Sequence, residues 1–316
     1  MQTLYTVDTE LSLAMQGGGA SPEANYRSAI LGETSRGKFG VPYQLDLLDR
    51  YGLKGVFFVE ALHIMVIGDE MLKRIVALVL ERGHEVQLHC HVEWLWFAKG
   101  AQRLPREKQS LAHLSLAEQS ELLGTAKDAL ERCGAPPPNA FRAGNYGAND
   151  DTLRTLAKLG IRYDSSHNGT VADSRIALPA EQIAPCERHG VIEVPVSWFF
   201  AGGARRRHAQ LCAASYSELD HALAEAQAAG HPLFTIVSHS FELLDRARKR
   251  PQGLVVRRFE KLCALLAERG TAGFRDLVDV SGSCTAPRPI RSNAARTAAR
   301  IAEQALGNLI YERRAG

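Results

Sequence analysis

The six cysteines of this 316-residue chain include no Cys-x-x-Cys pair. In a chain of this length such scatter reads as reduced thiols and excludes a disulfide framework. No apolar run approaches the roughly 18 residues that a transmembrane helix needs. The opening stretch, Met1 to Asp8, has neither the basic region nor the apolar core of a signal peptide, so a cytoplasmic enzyme is expected. Net charge is only +3, too little to argue for nucleic acid as a partner. There is no internal repeat and no low-complexity tract. The apolar share is 45% and the charged share 23%, which excludes wholesale disorder and leaves an ordinary globular chain able to bury a large core.

Short apolar runs alternate with helical patterns almost to the end. Strands are expected at Leu4 to Val7, Leu53 to Val59, Glu85 to His89, Ala140 to Arg142, Ile161 to Asp164, Val191 to Val196 and Pro232 to Val237. The run around Pro195 should lie near an edge or bulge, because proline cannot donate to a ladder. Between the strands lie helices with readable punctuation. Pro42 opens one, and Gly83 closes one that starts near Asp69. Ser115 with Glu118, and Ser215 with Glu218, form capping boxes. Further helices are expected from Asp150 to Leu159 and from Leu254 to Arg269. This alternation predicts an α/β fold around a mostly parallel sheet, open or closed into a barrel. A single domain over residues 1–285 is expected, followed by a basic tail over 286–316. From Pro287 onward the tail carries six arginines against two glutamates. Its Ser292 to Arg314 stretch reads as an amphipathic helix, suited to packing on the body or a second subunit, with a membrane-surface contact as the sharper alternative.

In parallel α/β folds reactive groups gather at the carboxyl ends of strands. Asp8 and Glu10 end the first run, and a period of two places both on one face. His89, His91 and Glu93 follow the third run, Arg142 ends another, and His239 ends the last. Singly each has a structural explanation, as a turn residue or a satisfied polar group. Together they form a carboxylate and imidazole set with metal-ligand chemistry.

Four segments in order resemble the NodB-type polysaccharide deacetylases, carbohydrate esterase family 4, over roughly Leu4 to Asp279. They are Thr6-Val-Asp8-Thr-Glu10, Gly83-His-Glu-Val-Gln-Leu-His89-Cys-His91-Val-Glu93, Phe141-Arg142-Ala-Gly-Asn-Tyr146-Gly147 and Ile236-Val-Ser-His239-Ser. Gly55 to Val59 is similar to the family's second strand. The resemblance implies a distorted (β/α)7-type barrel that hydrolyses an N-acyl group on a sugar with a divalent metal. It implies Asp8 as general base, Glu10 as carboxylate ligand, Arg142 as the group that orients Asp8, and His239 as the acid for the leaving amine. A backbone N–H of Asn145 or Tyr146 would stabilise the oxyanion.

Two departures matter. The first motif is Asp-x-Glu rather than two adjacent aspartates, and position 93 is Glu where the family places a second histidine. The third ligand is therefore His91 or Glu93. The His91 set resembles an ordinary zinc site, while the Glu93 set would be harder and suit Mn or Fe. Loss of the metal would leave a cyclic-amide hydrolase like the allantoin-opening relatives, and loss of activity a sugar-binding module. Arg246, Arg248, Lys249 and Arg250 follow His239 closely; Arg248 and Arg250 are candidate contacts for a phosphorylated, nucleotide- or lipid-linked sugar, against a solvated loop as the plainer reading. Trp94, Trp96 and Trp198 are expected in the core rather than as sugar platforms. His63, His84, His113, His189 and His221 carry no partner pattern, His167 could line the mouth, and Arg205-Arg-Arg-His208 reads as a solvated loop.

Overall fold

The computed structural model describes residues 1–278, 280 and 288–312. One eight-stranded sheet organises them. Its strands are β1 (Gln2–Thr9), β2 (Gly55–Glu60), β3 (Glu85–Cys90), β4 (Ala140–Ala143), β5 (Tyr163–Asp164), β6 (Cys186–Arg188), β7 (Val191–Glu193) and, after a hairpin of β8 (Trp198–Phe200) and β9 (Arg206–His208), β10 (Leu233–His239). The spatial order is β10-β1-β2-β3-β4-β5-β7-β6, parallel except for β6 on β7. The sheet is a curled half-barrel of the (β/α)7 type. The free edge of β10 is covered by irregular chain: the Ser197 amide donates to the Thr235 carbonyl, the Leu211 amide to the Val237 carbonyl, and the Val237 amide to the Ala209 carbonyl.

Alternation along the strands sorts side chains between two cores. Tyr5 and Val7 of β1, Phe57 and Val59 of β2, and Val86 and Leu88 of β3 face the helices. These helices are α1 (Val41–Arg50), α2 (Glu70–Leu80), α3 (Leu116–Arg132), α4 (Asp150–Lys158), α5 (Tyr216–Ala228) and α6 (Gly253–Ala267). Leu4, Val56, Phe58, Ala140, Tyr163 and Ile192 face inward, where Phe274 plugs the lower end. The upper inward positions are polar. Thr6 and Asp8 of β1, His89 of β3 and Arg142 of β4 are all buried there. Strand alternation therefore gives an apolar floor and a charged mouth at the carboxyl ends.

Both serine capping boxes form as the sequence predicts, and Asn149 with Thr152 adds a third that opens α4. The strand at Val191 is regular only to Glu193, one neighbour in from the β6 edge, and leaves the ladder before Pro195. The Arg205 to His208 stretch is not a loop throughout. Arg206–His208 pairs antiparallel with Trp198–Phe200. The tail forms α7 (Ala294–Gly307), which runs on into one wide helical turn, Asn308–Glu312; the expected end at Arg314 lies outside the described residues. The 285/286 boundary, Cys284 and Pro287 also lie outside them. No helix among the described residues is long and apolar enough to cross a membrane.

Candidate active site

Register explains why distant residues meet. Asp8 is the Cα partner of His239 across β1 and β10, and His89 is the partner of Arg142 across β3 and β4. A cavity of about 90 Å³ opens between them, lined by Asp8, Glu10, His89, His91, Ala143, Asn145, Tyr146 and His239. Of the residues singled out from sequence, Arg142 and Glu93 support this lining from behind, and Arg248 and Arg250 lie outside it.

Three groups converge so that a ligand atom from each lies within 4.8 Å of the others: Glu10, His89 and His91. His91 Nε2 is 2.7 Å from Glu10 Oε2, and His89 Nε2 is 3.8 Å from the same oxygen. Each imidazole is fixed through its other nitrogen. His89 Nδ1 lies 2.7 Å from the Arg142 carbonyl, and His91 Nδ1 lies 3.3 Å from Glu93 Oε2. Outer partners of this kind set the tautomer and leave Nε2 as the ligating atom. Glu93 thus sits behind His91, where its second oxygen accepts a hydrogen bond from Asn145 Nδ2. Gly144 makes room for this packing, since a Cβ there would fall 2.6 Å from the His91 ring.

The donor set suits a divalent cation. Two neutral imidazoles and one carboxylate on a concave, nearly buried face is an ordinary zinc ligand set with room for an open position. The electrostatics agree. Burial alone would raise the Glu10 carboxyl, but the His91 charge and bonds from both histidines hold it well below the usual range. Burial would lower His91, and Glu10 and Glu93 instead lift it well above the ordinary imidazole value. The site therefore binds positive charge strongly, and protons compete with a metal there.

Asp8 is held apart from this trio. Arg142, fully buried, donates through Nη1 to Asp8 Oδ1 at 2.7 Å and to Thr6 Oγ1 at 2.9 Å. Its Nε and Nη2 go to the Ser165 carbonyl and hydroxyl, each at 3.1 Å, and its plane lies 4.3 Å from the Phe58 ring. A guanidinium so fully committed cannot swing away, so Asp8 keeps one oriented free oxygen. That oxygen, Oδ2, is 4.0 Å from His239 Nε2.

His239 has partners that the sequence did not reveal. Its Nδ1 is 3.7 Å from Glu242 Oε1 and 3.3 Å from Gln210 Nε2, while Gln44 Nε2 donates to its carbonyl. Gln210 also donates to Glu242. Burial pulls the imidazole down, yet Glu242, Asp8 and Glu10 outweigh it and raise its pKa to about 9. It is therefore cationic at neutral pH. Glu242 follows at i+3 from His239, a spacing that was readable, but Gln210 arrives from the chain after β9 and carried no signal.

Asn145 and Tyr146 both adopt left-handed backbone, with φ of 53° and 59°. Two such non-glycine residues in succession are uncommon and mark a loop held for a purpose. Arg250 is turned away: it pairs with Asp245 and donates to the Tyr311 carbonyl. Arg248 lines a larger neighbouring cavity. Trp94 and Trp198 are buried, while Trp96 is partly exposed beneath Arg106. His63, His84 and His189 pair with Glu60, Asp49 and Asp150, His113 sits by Ser110, and His221 by the Arg291 carbonyl. His167 is buried against the Pro179 carbonyl rather than lining the mouth.

The half-barrel gathers carboxylates and imidazoles, with a candidate metal-ligand trio among them, at the carboxyl ends of its strands. Residues 37–163 match the family model described as polysaccharide deacetylase. The matched segment contains His89, His91 and Arg142 but not Asp8, Glu10 or His239. No curated protein matches the chain. Among solved structures, it is similar to a putative polysaccharide deacetylase from Mycobacterium smegmatis, at 18% identity and TM-score 0.49, covering 88% of this chain and 96% of that one. A family 4 carbohydrate esterase from Streptomyces lividans in complex with acetate shares 12% identity at TM-score 0.43, covering 92% and 98%. A 4-alpha-glucanotransferase from Thermococcus litoralis shares 10% identity at TM-score 0.50, covering 87% of this chain and 38% of that one; at such identity the likeness concerns the fold.

Proposed function

We propose that this protein is a metal-dependent hydrolase that removes an N-acyl group, in the first instance acetyl, from a sugar. The carrying observation is the convergence of the Glu10, His89 and His91 trio with the Asp8–His239 pair on one small cavity. Glu10, His89 and His91 would hold the ion, with zinc the first expectation from two imidazoles and a carboxylate. When bound, the ion supplies Lewis-acid polarisation and a water of lowered pKa. Asp8, oriented by Arg142, takes the proton from the attacking water. A backbone N–H of Asn145 or Tyr146 donates to the developing oxyanion. His239, kept cationic by Glu242, gives its proton to the departing amine. The substrate we infer is a nucleotide- or lipid-linked sugar of polysaccharide biosynthesis handled in the cytoplasm, a reading supported by the cationic chain that follows His239.

Metal content and turnover test the reaction together. Full-length protein loaded with zinc should bind one ion and release acetate from N-acetyl sugars. Glu10→Ala and His89→Ala should each lose the ion while remaining folded by circular dichroism. Loaded wild-type protein that retains no divalent ion by elemental analysis would sink the metal reading and favour cyclic-amide hydrolysis.

A further inference from the structure

Beside the small cavity lies a larger one of about 650 Å³, which shares Glu10 and His239 with it. That volume suits a ligand the size of a sugar with a substituent. Its side is formed by a column of flat groups. The His239 and Phe241 rings lie 5.8 Å apart, and the Arg248 guanidinium sits 4.1 Å over the other part of that stack, on Phe241. Arg248 is held in left-handed backbone at φ 55°, and its Nη1 is buried without a hydrogen-bond partner. Both features cost energy, and the same side chain lines the cavity. Of the acids on the same walls, Glu10 lies 2.7 Å from His91 and its charge also favours the Arg248 cation, and the other three have partners of their own. Asp245 accepts from Arg250 and from the Lys249 and Arg250 amides, Glu303 pairs with Arg258 at 2.8 Å, and Glu242 accepts from Gln210 and the His239 amide.

The tail contributes to the wall of the cavity: Glu303, Gln304 and Asn308 are among its lining residues. The tail is built into the body at several points. Arg300 is buried and its Nε lies 3.4 Å from Glu218. The Phe200 amide donates to the Ile290 carbonyl, and Arg250 reaches the Tyr311 carbonyl. Gly253 is required for this seat, because a Cβ there would meet the Tyr311 hydroxyl at 2.4 Å.

We propose that the larger cavity is a subsite for an anionic group attached to the reacting sugar, with Arg248 as its anchor and the C-terminal helix as one of its walls. The inference rests on the deacylase reading for the sugar and adds the charge and size of what accompanies it. Phosphate and carboxylate share the chemistry that a guanidinium recognises.

Calorimetry on the full chain separates the two claims, because it needs no turnover. The probes are glucosamine, glucosamine 1-phosphate and muramic acid, which carry no charge beyond the amine, a phosphate and a carboxylate. Wild-type protein should bind at least one charged probe tenfold or more tightly than glucosamine, and which of the two is preferred identifies the anion. Arg248→Ala should remove that preference and Arg248→Lys restore part of it. Gln304→Trp, which fills the cavity from the tail side, should weaken the charged probe and spare glucosamine. Thermal melts verify that each variant is folded. Equal affinity for charged and neutral probes, or a preference that survives Arg248→Ala, overturns the subsite. Charged probes that bind through Arg248 in a protein that deacylates no sugar uphold the subsite and overturn the reaction.

Discussion

Two buried carboxylate arrangements in the same barrel are neutralised in opposite ways. Asp8, at the end of β1, is met by a cation: Arg142 reaches it across the barrel interior and spends its other donors on Thr6 and Ser165. Asp164 and Glu193 are met by each other, as register partners on β5 and β7. Burial raises both of these acids; Ser166 bonds pull Asp164 back in part, while the neighbouring Asp164 charge lifts Glu193 further. The two acids therefore hold on to a proton at higher pH than free carboxyls do. The carboxylate that faces the cavity is given a fixed cation, whereas those that shape a loop are given each other. Here the pair fixes the chain behind the site: Asp164 accepts from the Ser166 hydroxyl, whose oxygen accepts from the Ala143 amide, and Glu193 accepts from the His167 amide.

The contrast can be broken first at Asp8. Asp8→Asn removes the proton acceptor but no ligand, so kcat should fall by up to about 10⁴ while bound metal is unchanged. Parallel loss of metal would move Asp8 into the ligand set. His239→Ala should slow amide cleavage by about a hundredfold, and activated esters less, because their leaving groups need less protonation. Equal losses on both substrates would count against an acid role.

Arg142→Met tests the cation itself. It strands the buried Asp8 charge, and chemical denaturation should show a loss of about 3–5 kcal/mol, the usual result of removing one partner of a buried pair. Glu242→Gln is milder. Without that carboxylate the His239 pKa drops below its present value near 9, so the alkaline limb of the kcat profile should move to lower pH with little change at pH 6.

The smallest effect belongs to the proton-sharing pair. Folded Glu193 keeps its proton above the 4.5 at which the unfolded residue releases it. Its contribution to stability is thus complete below that value and declines as pH rises through the folded pKa. Glu193→Gln should melt with wild type near pH 4 and a few degrees above it at pH 9. Identical curves at both pH values would show that the two acids do not share a proton.

Much of this was legible from residue order. Strand ends with Asp8, His89, Arg142 and His239 could be located because β alternation and βα punctuation are local properties. The choice between His91 and Glu93 was not local: it depends on Asn145 reaching Glu93 and on Gly144 admitting the His91 ring, contacts across 50 residues of chain. Gln210 and the tail contacts escaped for the same reason, since the chain between β7 and β10 follows no strand period. Arg250 was chosen for charge alone, and its partner Asp245 supplies the same charge logic with a structural outcome. The hairpin at Arg206–His208 was hidden because a run of charged residues shows no apolar alternation, and the Trp198 ring beneath Arg206 comes from the other strand.

The pairing of β1 with β10 has a consequence for how the protein is made. Asp8 is synthesised well before His239, yet they stand side by side in adjacent strands. A nascent chain that has already formed β1 to β4 owns His89 and Arg142 but lacks His239, and β1 waits with one edge unpaired. The pocket is therefore incomplete until the chain has closed on itself, and any fragment or stalled product that ends before β10 should be prone to stick to its own kind.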